Sequence, residues 1–264
     1  MTLNFDTVAF SIFGWPVHWY GIMYLVGFLG GWWLGRIQAK RKHCPYTALE
    51  VDDLLFYVGM GVILGGRVGY VFFYGWEQLM HDWHFFYRIW EGGMSFHGGL
   101  LGVLTALWLF NRKYKKGFFQ TVDFVAPCVT IGLGAGRIGN LINGELWGKP
   151  TDLPWGMIFP RMDQLARHPA PLYEFILEGP ILLAILWWFS KKPRPTMAVS
   201  GLFAICYGIF RTLVETVRLP DAHIGYLYGT DFITMGMMLS LPLVVIGALF
   251  MWWAYRKPQA ASDK

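Results

Sequence analysis

Four residues interrupt long apolar stretches and have side chains able to do chemistry. They are Arg67 in GGRVG (65–69), His97 in SFHGGLLG (95–102), Arg137 in AGRIG (135–139) and Arg211 in YGIFRTLVE (207–215). A charge in an apolar stretch is costly, so each needs a physical reason. A guanidinium grips phosphate through two parallel hydrogen bonds. A histidine exchanges a proton near neutral pH. Spacing adds companions: Arg137 and Asn140 stand at i, i+3, and Tyr207, Arg211 and Glu215 at i, i+4, i+8, each set on one helix face. Glu215 is placed to orient Arg211 by a charge-assisted hydrogen bond. Each residue also has a structural alternative. Arg67 would pair with a backbone carbonyl, Arg211 with Glu215 alone, and His97 would be a satisfied helix-end histidine. Arg137 stands among glycines that clear space around it.

Competing motifs are weak. Gly134, Gly136 and Gly139 spell G-x-G-x-x-G, but that fingerprint needs a strand, a turn and a helix inside a βαβ unit. Here it lies late in an apolar run. There is no G-x-S-x-G and no H-E-x-x-H, so serine hydrolase and zincin chemistry lack their motifs. Cys44, Cys128 and Cys206 form no CxxC pair, hence no disulfide framework and no zinc spacing. No metal and no cofactor is implied.

The elements that must carry these residues are membrane helices. The 264 residues are 55% hydrophobic and 15% charged, with mean hydropathy +0.39, against roughly 25% charge in a soluble domain. Fourteen Trp, 13 Tyr and 21 Phe suit aromatic belts at bilayer interfaces. The expected fold is an all-α integral membrane protein, one polytopic domain over 1–264 with no linker. A span needs about 20 apolar residues, and seven candidates follow: 17–37, 54–74, 93–110, 121–142, 172–190, 199–218 and 232–255. Glycines at fourth-residue spacing (27, 31, 35; 61, 65, 69; 132, 136) predict close helix packing.

Basic residues set the orientation. Lys40, Arg41, Lys42, Arg112, Lys113, Lys115, Lys116, Lys191, Lys192, Arg194, Arg256, Lys257 and Lys264 share one set of loops; Arg88, Lys149, Arg161 and Arg167 share the other. Thirteen against four puts the N-terminus outside, the C-terminus in the cytoplasm and the 143–171 segment outside, which is periplasmic in a two-membrane bacterium. The N-terminal stretch lacks the basic n-region of a signal peptide. With this topology the net charge of +5 speaks for cytoplasmic loops and phospholipid contacts, not nucleic acid.

Along their helices, Arg67, Arg137 and Arg211 then lie roughly 20, 24 and 18 Å from the inner ends. His97 falls near the outer end of the third span, and His18 and Tyr20 near that of the first. Residues of five helices are thus expected to meet in the outer half of the membrane. Asp123, at the inner start of the fourth span, reads as structural, because an acidic residue suits a helix N-terminus. Physics alone reaches a membrane enzyme or transporter that handles an anionic headgroup at the outer face.

GRIGNLINGELWG (136–148) resembles the signature of bacterial prolipoprotein diacylglyceryl transferases, with Leu141 where the family usually has Phe. HWYG (18–21), HGGLLG (97–102), RHPAPLYE (167–174) and YGIFRTLVE (207–215) are similar to further family segments, in the same order. The resemblance implies transfer of the diacylglyceryl group of phosphatidylglycerol to the lipobox cysteine of a prolipoprotein signal peptide. A thioether forms and glycerol phosphate leaves, at the bacterial inner membrane. By this resemblance Arg137 and Arg211 stabilise charge on the leaving phosphate, and Asn140 bonds the glycerol or phosphate. His97 is the candidate base for the thiol, or else positions the headgroup while an arginine or Tyr20 assists. Glu145 orients the signature loop and Gly148 supports its turn; Tyr20, Arg67, Tyr207 and Glu215 complete the expected substrate site. A transporter is the rival reading. It predicts polar residues at both depths and paired broken helices, whereas the cytoplasmic half offers little beyond Asp123.

Overall fold

The structure is a computed structural model, and it describes residues 1–220 and 224–256. Lys257 and Lys264, which enter the charge count, lie outside the described residues. In chain order, a hairpin of β1 (Val8–Ile12) and β2 (Trp15–His18) leads into α1 (Trp19–Ala39). Next come α2 (Ala48–Phe73), the short α3 (Trp76–His81) and two 3-10 turns, Trp83–Phe86 and Ile89–Glu91. Helices α4 (Phe96–Tyr114) and α5 (Phe118–Asn143) follow, then the antiparallel pair β3 (Met157–Ile158) and β4 (Ala166–Arg167). A further helix consists of α6 (Ala170–Ile176), a π turn at Leu177–Ile181 and α7 (Leu182–Phe189). Finally come α8 (Ala198–Glu215) and α9 (Met235–Arg256).

Helices cover most of each of the seven expected segments. Among the described residues, five helices are long and apolar enough to cross a membrane: Ala48–Phe73, Phe118–Asn143, Ala170–Phe189, Ala198–Glu215 and Met235–Arg256. Local chemistry moves several ends from their expected places. α2 starts at Ala48, ahead of 54, because Thr47 and Glu50 form a capping box: Thr47 Oγ1 accepts from the Glu50 amide at 3.3 Å, and Glu50 Oε2 accepts from the Thr47 amide at 2.7 Å. Such a box satisfies amides that have no partner inside the helix. α4 starts at Phe96 because Ser95 caps it, accepting from the Gly98 amide at 3.2 Å. The 172–190 span is not one regular helix. Pro180 has no N–H to continue the ladder, and the π turn absorbs the break.

The chain forms two compact units, residues 36–121 and residues 1–35 with 122–264. In the first, α2 and α4 pack through glycine. A Cβ on Gly61 would sit 2.7 Å from the Gly102 carbonyl oxygen, and one on Gly69 2.7 Å from Gly98 Cα. In the second, a Cβ on Gly27 of α1 would stand 2.8 Å from Gly132 Cα of α5, and Gly201 of α8 meets the Gly247 carbonyl of α9 in the same way at 2.9 Å. Small residues are what let membrane helices approach this closely. The core here gathers Ala126, Leu182, Leu186 and Val199, with Phe189, Phe203 and Tyr207 against it.

The glycine fingerprint is resolved by its setting. Gly134, Gly136 and Gly139 all lie inside α5, toward its C-terminal end, whereas a phosphate loop precedes a helix N-terminus. Gly134 packs on Gly179 and Gly139 on the Tyr20 ring. Asp123 serves a helix other than its own. It accepts hydrogen bonds from the amides of Met197 and Ser200, both at 2.7 Å, and from Ser200 Oγ at 2.6 Å. It thereby satisfies the first-turn donors of α8.

Candidate functional site

Three arginines and three glutamates interlock among α5, α6, the π turn and α8. Glu174 and Glu178 lie one turn apart with fully buried side chains. Arg137 reaches both: its Nε donates to Glu178 Oε2 at 3.0 Å, and its Nη1 stands 3.2 Å from Glu174 Oε2. The other Glu174 oxygen accepts from Arg211 Nη1. Arg211 Nη2 pairs with Glu215 at 2.6 Å, the i, i+4 contact read from the sequence. Arg218, just past the end of α8, completes the chain with Glu215 at 3.2 Å and Glu174 at 3.8 Å. Thr234 Oγ1 donates to the second Glu215 oxygen at 2.6 Å, and a Cβ on Gly236 would fall 2.5 Å from that carboxylate, so glycine makes room for it. Tyr207 stacks on Phe203 with ring centroids 5.8 Å apart, and its hydroxyl is bonded with Arg137.

Alternating charge explains how such a cluster persists. Unpaired arginines would repel in a low dielectric, and each intervening carboxylate offsets that while orienting both neighbours. Glu174 is the hinge between the two arginines that the sequence singled out.

At the end of α5 the signature turns away from the helix. Gly144 takes φ +64° and Leu146 φ +60°. Glu145 Oε1 accepts from Asn140 Nδ2 at 2.8 Å and from Asn143 Nδ2 at 3.3 Å, so Glu145 folds back over the helix end. The Tyr20 hydroxyl bonds Asn140, and its ring covers Gly139. Gly148 is a point of close approach. Its amide donates to the His168 carbonyl at 3.0 Å, its carbonyl accepts from Arg167 Nη1 at 3.2 Å, and any Cβ would strike His168. His168 titrates below the ordinary histidine range because of burial and the nearby positive Lys149. It is therefore neutral near pH 7.

Arg67 and His97 belong to the 36–121 unit. Arg67 is 3% exposed, and its donors go to main-chain carbonyls: Nε to Phe86 at 3.1 Å, Nη1 to Gly92 at 2.6 Å and Gly93 at 3.2 Å, Nη2 to Phe85. Its guanidinium also lies 4.7 Å from the Phe85 ring centroid. That geometry fits the structural alternative, an arginine that fastens the 75–93 segment. His97 is exposed on the first turn of α4, edge-on to Phe96. Among the described residues no group of His, Cys, Asp and Glu could hold a metal ion, and none of the three cysteines forms a disulfide.

Sequence reading singled out Arg137, Arg211 and Glu215 but not Glu178 or Arg218, and quoted Glu174 only inside a family segment. A signal was present. Glu174 and Glu178 stand at i, i+4 in an otherwise apolar span, and two carboxylates there require cationic partners.

A model of the family described as prolipoprotein diacylglyceryl transferase matches residues 7–253. Among curated proteins, the phosphatidylglycerol–prolipoprotein diacylglyceryl transferase of Azotobacter vinelandii is 56% identical over 253 residues, 96% of this chain and 95% of the relative. Proteins of the same name from Ectopseudomonas mendocina and Pseudomonas fluorescens are each 54% identical, again over 96% of this chain and 95% of the relative.

Proposed function

Because this chain belongs to the prolipoprotein diacylglyceryl transferase family, we propose that it transfers the diacylglyceryl group of phosphatidylglycerol to the lipobox cysteine of prolipoproteins. The sulfur attacks a saturated glycerol carbon, the carbon–oxygen bond to phosphate breaks, and glycerol phosphate departs with the bonding electrons. The observation that carries this reading is the buried cluster of Arg137, Arg211 and Arg218 on Glu174, Glu178 and Glu215. A phosphodiester that becomes a phosphomonoester gains negative charge. Preorganised guanidinium groups in a water-poor site stabilise that charge most as it develops.

Arg137 and Arg211 hold the leaving phosphate. Asn140, presented by Tyr20 and Glu145, bonds the glycerol end, and Gly148 keeps the signature turn closed against His168. Tyr207 and Glu215 keep the two arginines aimed. His97 takes the thiol proton, since a thiol of pKa near 8.5 attacks well only as thiolate. The protein is one polytopic domain of seven spans in the bacterial inner membrane, with its N-terminus and 143–171 segment periplasmic and its C-terminus cytoplasmic. Labelling from outside should reach a cysteine at Asp152 and not one at Lys115; the reverse pattern inverts the topology.

Purified protein with phosphatidylglycerol and a lipobox peptide should yield lipidated peptide and an equal amount of glycerol phosphate. Lipid movement without glycerol phosphate release would replace the enzyme by a transporter. Run across pH, the same assay defines His97. His97→Asn should lose activity near neutrality and regain some as the peptide thiol ionises unaided. A loss independent of pH would make His97 a positioning residue.

A further inference from the structure

Arg137 meets a carboxylate on each side that a phosphate would use. A guanidinium has two forks, one of Nε with Nη2 and one of Nη1 with Nη2, and each matches two oxygens of an oxyanion. Glu178 Oε2 holds Nε at 3.0 Å and Glu174 Oε2 stands against Nη1 at 3.2 Å. The Nε–Nη2 fork therefore has one member hydrogen-bonded to Glu178, while Nη1 meets Glu174 as an ion pair without a hydrogen bond, so a two-point grip on phosphate through the Nε–Nη2 fork requires Glu178 to leave.

The two carboxylates are unequal. Glu174 also binds Arg211 and lies 3.8 Å from Arg218, so its departure would leave three cations without their common anion. Glu178 pairs with Arg137 alone among the described residues, although each carboxylate keeps one buried oxygen without a hydrogen-bond partner, Glu178 Oε1 and Glu174 Oε2. It also stands on the π turn, a local irregularity of a kind that often marks functional sites.

We propose that Glu178 holds the place of the lipid phosphate on Arg137 and gives it up, taking a proton, when phosphatidylglycerol binds. This rests on phosphatidylglycerol being the substrate. The charges balance only with that proton. Three arginines and three glutamates sum to zero, and a phosphodiester brings one negative charge into a buried site. Glu178, released from Arg137, becomes an unpaired buried carboxylate, and such a group takes a proton in place of its lost partner. The proton comes from solvent, and no covalent bond in the lipid changes at this stage. The charged and titratable groups facing Glu178 are Arg137 of α5, Tyr207 and Glu215 of α8, Arg218 just beyond it, and Glu174 one turn earlier on its own helix. Glu178 is thus a resident anion that keeps Arg137 in place while the site is empty and yields to a phosphate of the same charge.

The test is calorimetry on the full-length protein in phosphatidylcholine nanodiscs, titrated with short-chain phosphatidylglycerol in the absence of peptide. Two buffers of different ionisation enthalpy reveal proton uptake. Wild-type protein should take up about one proton per lipid, and its Kd should rise with pH by up to about tenfold per unit. Glu178→Gln should bind the lipid more tightly, by about tenfold, with no proton uptake and no pH dependence. Glu174→Gln should bind more weakly. Wild-type binding without proton uptake overturns the proposal, as does a folded Glu178→Gln protein that binds more weakly than wild type. The wild-type measurement decides the matter even where the variant does not fold. A wild-type preparation that lipidates a lipobox peptide yet takes up no proton defeats this proposal alone. One that neither binds phosphatidylglycerol nor lipidates the peptide defeats the proposed function as well.

Discussion

Arg67 and Arg137 have almost the same neighbours in sequence, GGRVG and AGRIG, each in an apolar helix. Their partners are opposite in kind. Arg67 is surrounded by main-chain carbonyls of a single segment, at Phe85, Phe86, Gly92 and Gly93. Arg137 is held by the carboxylates of Glu174 and Glu178. Carbonyls are neutral and fixed in the backbone, so their bonds to a cation fasten a fold and leave its positive charge in place. Carboxylates are anions on side chains, and an incoming anion of like charge can replace them. The same residue in the same local motif is therefore bound by fixed carbonyls in one unit and by side-chain carboxylates in the other, the arrangement that the proposed exchange at Arg137 needs. Gly65 and Gly69 beside Arg67 admit α4, and Gly139 beside Arg137 admits the Tyr20 ring, whereas Gly136 borders open space.

The largest effect should come from the exchangeable arginine. Arg137→Ala should lower transfer by about 10³-fold or more, the scale seen when a preorganised donor to developing charge is lost. Arg137→Lys restores charge but not the fork, and should stay at least about tenfold below wild type. Initial rates of peptide lipidation check both. Near-normal turnover in the lysine variant would erase the distinction between the two arginines, since a point charge would then suffice.

Next in size is the hinge carboxylate. Glu174→Gln leaves Arg137 and Arg211 without their shared anion, and should cost about 3 kcal/mol of stability, the scale for breaking a buried pair by removing one partner. Equilibrium unfolding in detergent measures it. A loss within error would show that Glu174 is not what keeps the arginines together.

The carbonyl-bound arginine should behave differently. Arg67→Met removes a cation that satisfies four carbonyls, and should cost about 2 kcal/mol, concentrated in the 75–93 segment. Limited proteolysis should cut there first, while the KM for phosphatidylglycerol stays unchanged in the protein that remains folded. A raised KM at constant fold would place Arg67 on the substrate, the role its charge in an apolar helix suggests.

Much of this was legible from residue types alone. Apolar runs locate seven helices, and fourth-residue glycines locate the seams between α2 and α4 and between α1 and α5. The Arg211–Glu215 pair follows from i, i+4 spacing within one helix. What spacing cannot supply is a partner on another element. Arg67 and Arg137 are indistinguishable in sequence because their ligands come from 18 to 41 residues away. Asp123 illustrates the same limit. Its charge suits a helix start, but the helix it caps begins more than seventy residues later, at Ala198. The π turn at Leu177–Ile181 was signalled by Pro180, which the apolar count passed over.

Arg167 lies between the two cases and gives the smallest effect. It is buried, and it carries one ligand of each kind: Nη1 donates to the Gly148 carbonyl at 3.2 Å, while Nε and Nη2 donate to Asp163 at 3.2 and 2.5 Å. Asp163 is partly exposed, with 30% of its side chain open to solvent, so water can replace much of what it offers, and little stability should depend on it. The hydrogen bonds from Arg167, and then that from the Leu165 amide, hold the Asp163 carboxyl below its ordinary range. The sign follows from that depression. The contribution is complete above the unfolded pKa of about 4 and is lost as pH falls through the lower folded value. Protection of the Leu165 amide, corrected for intrinsic exchange, should therefore be level from neutrality down to about pH 4 and decline only below it. In Asp163→Asn the same amide should exchange faster, with no acid transition. Transfer at neutral pH should barely change in that variant, because the carbonyl ligand still pins Arg167 under the signature turn. If Asp163→Asn instead lost transfer on the scale of Arg137→Lys, a partly exposed carboxylate would be as decisive as a buried one, and the contrast between fixed and exchangeable arginines would need another basis than burial.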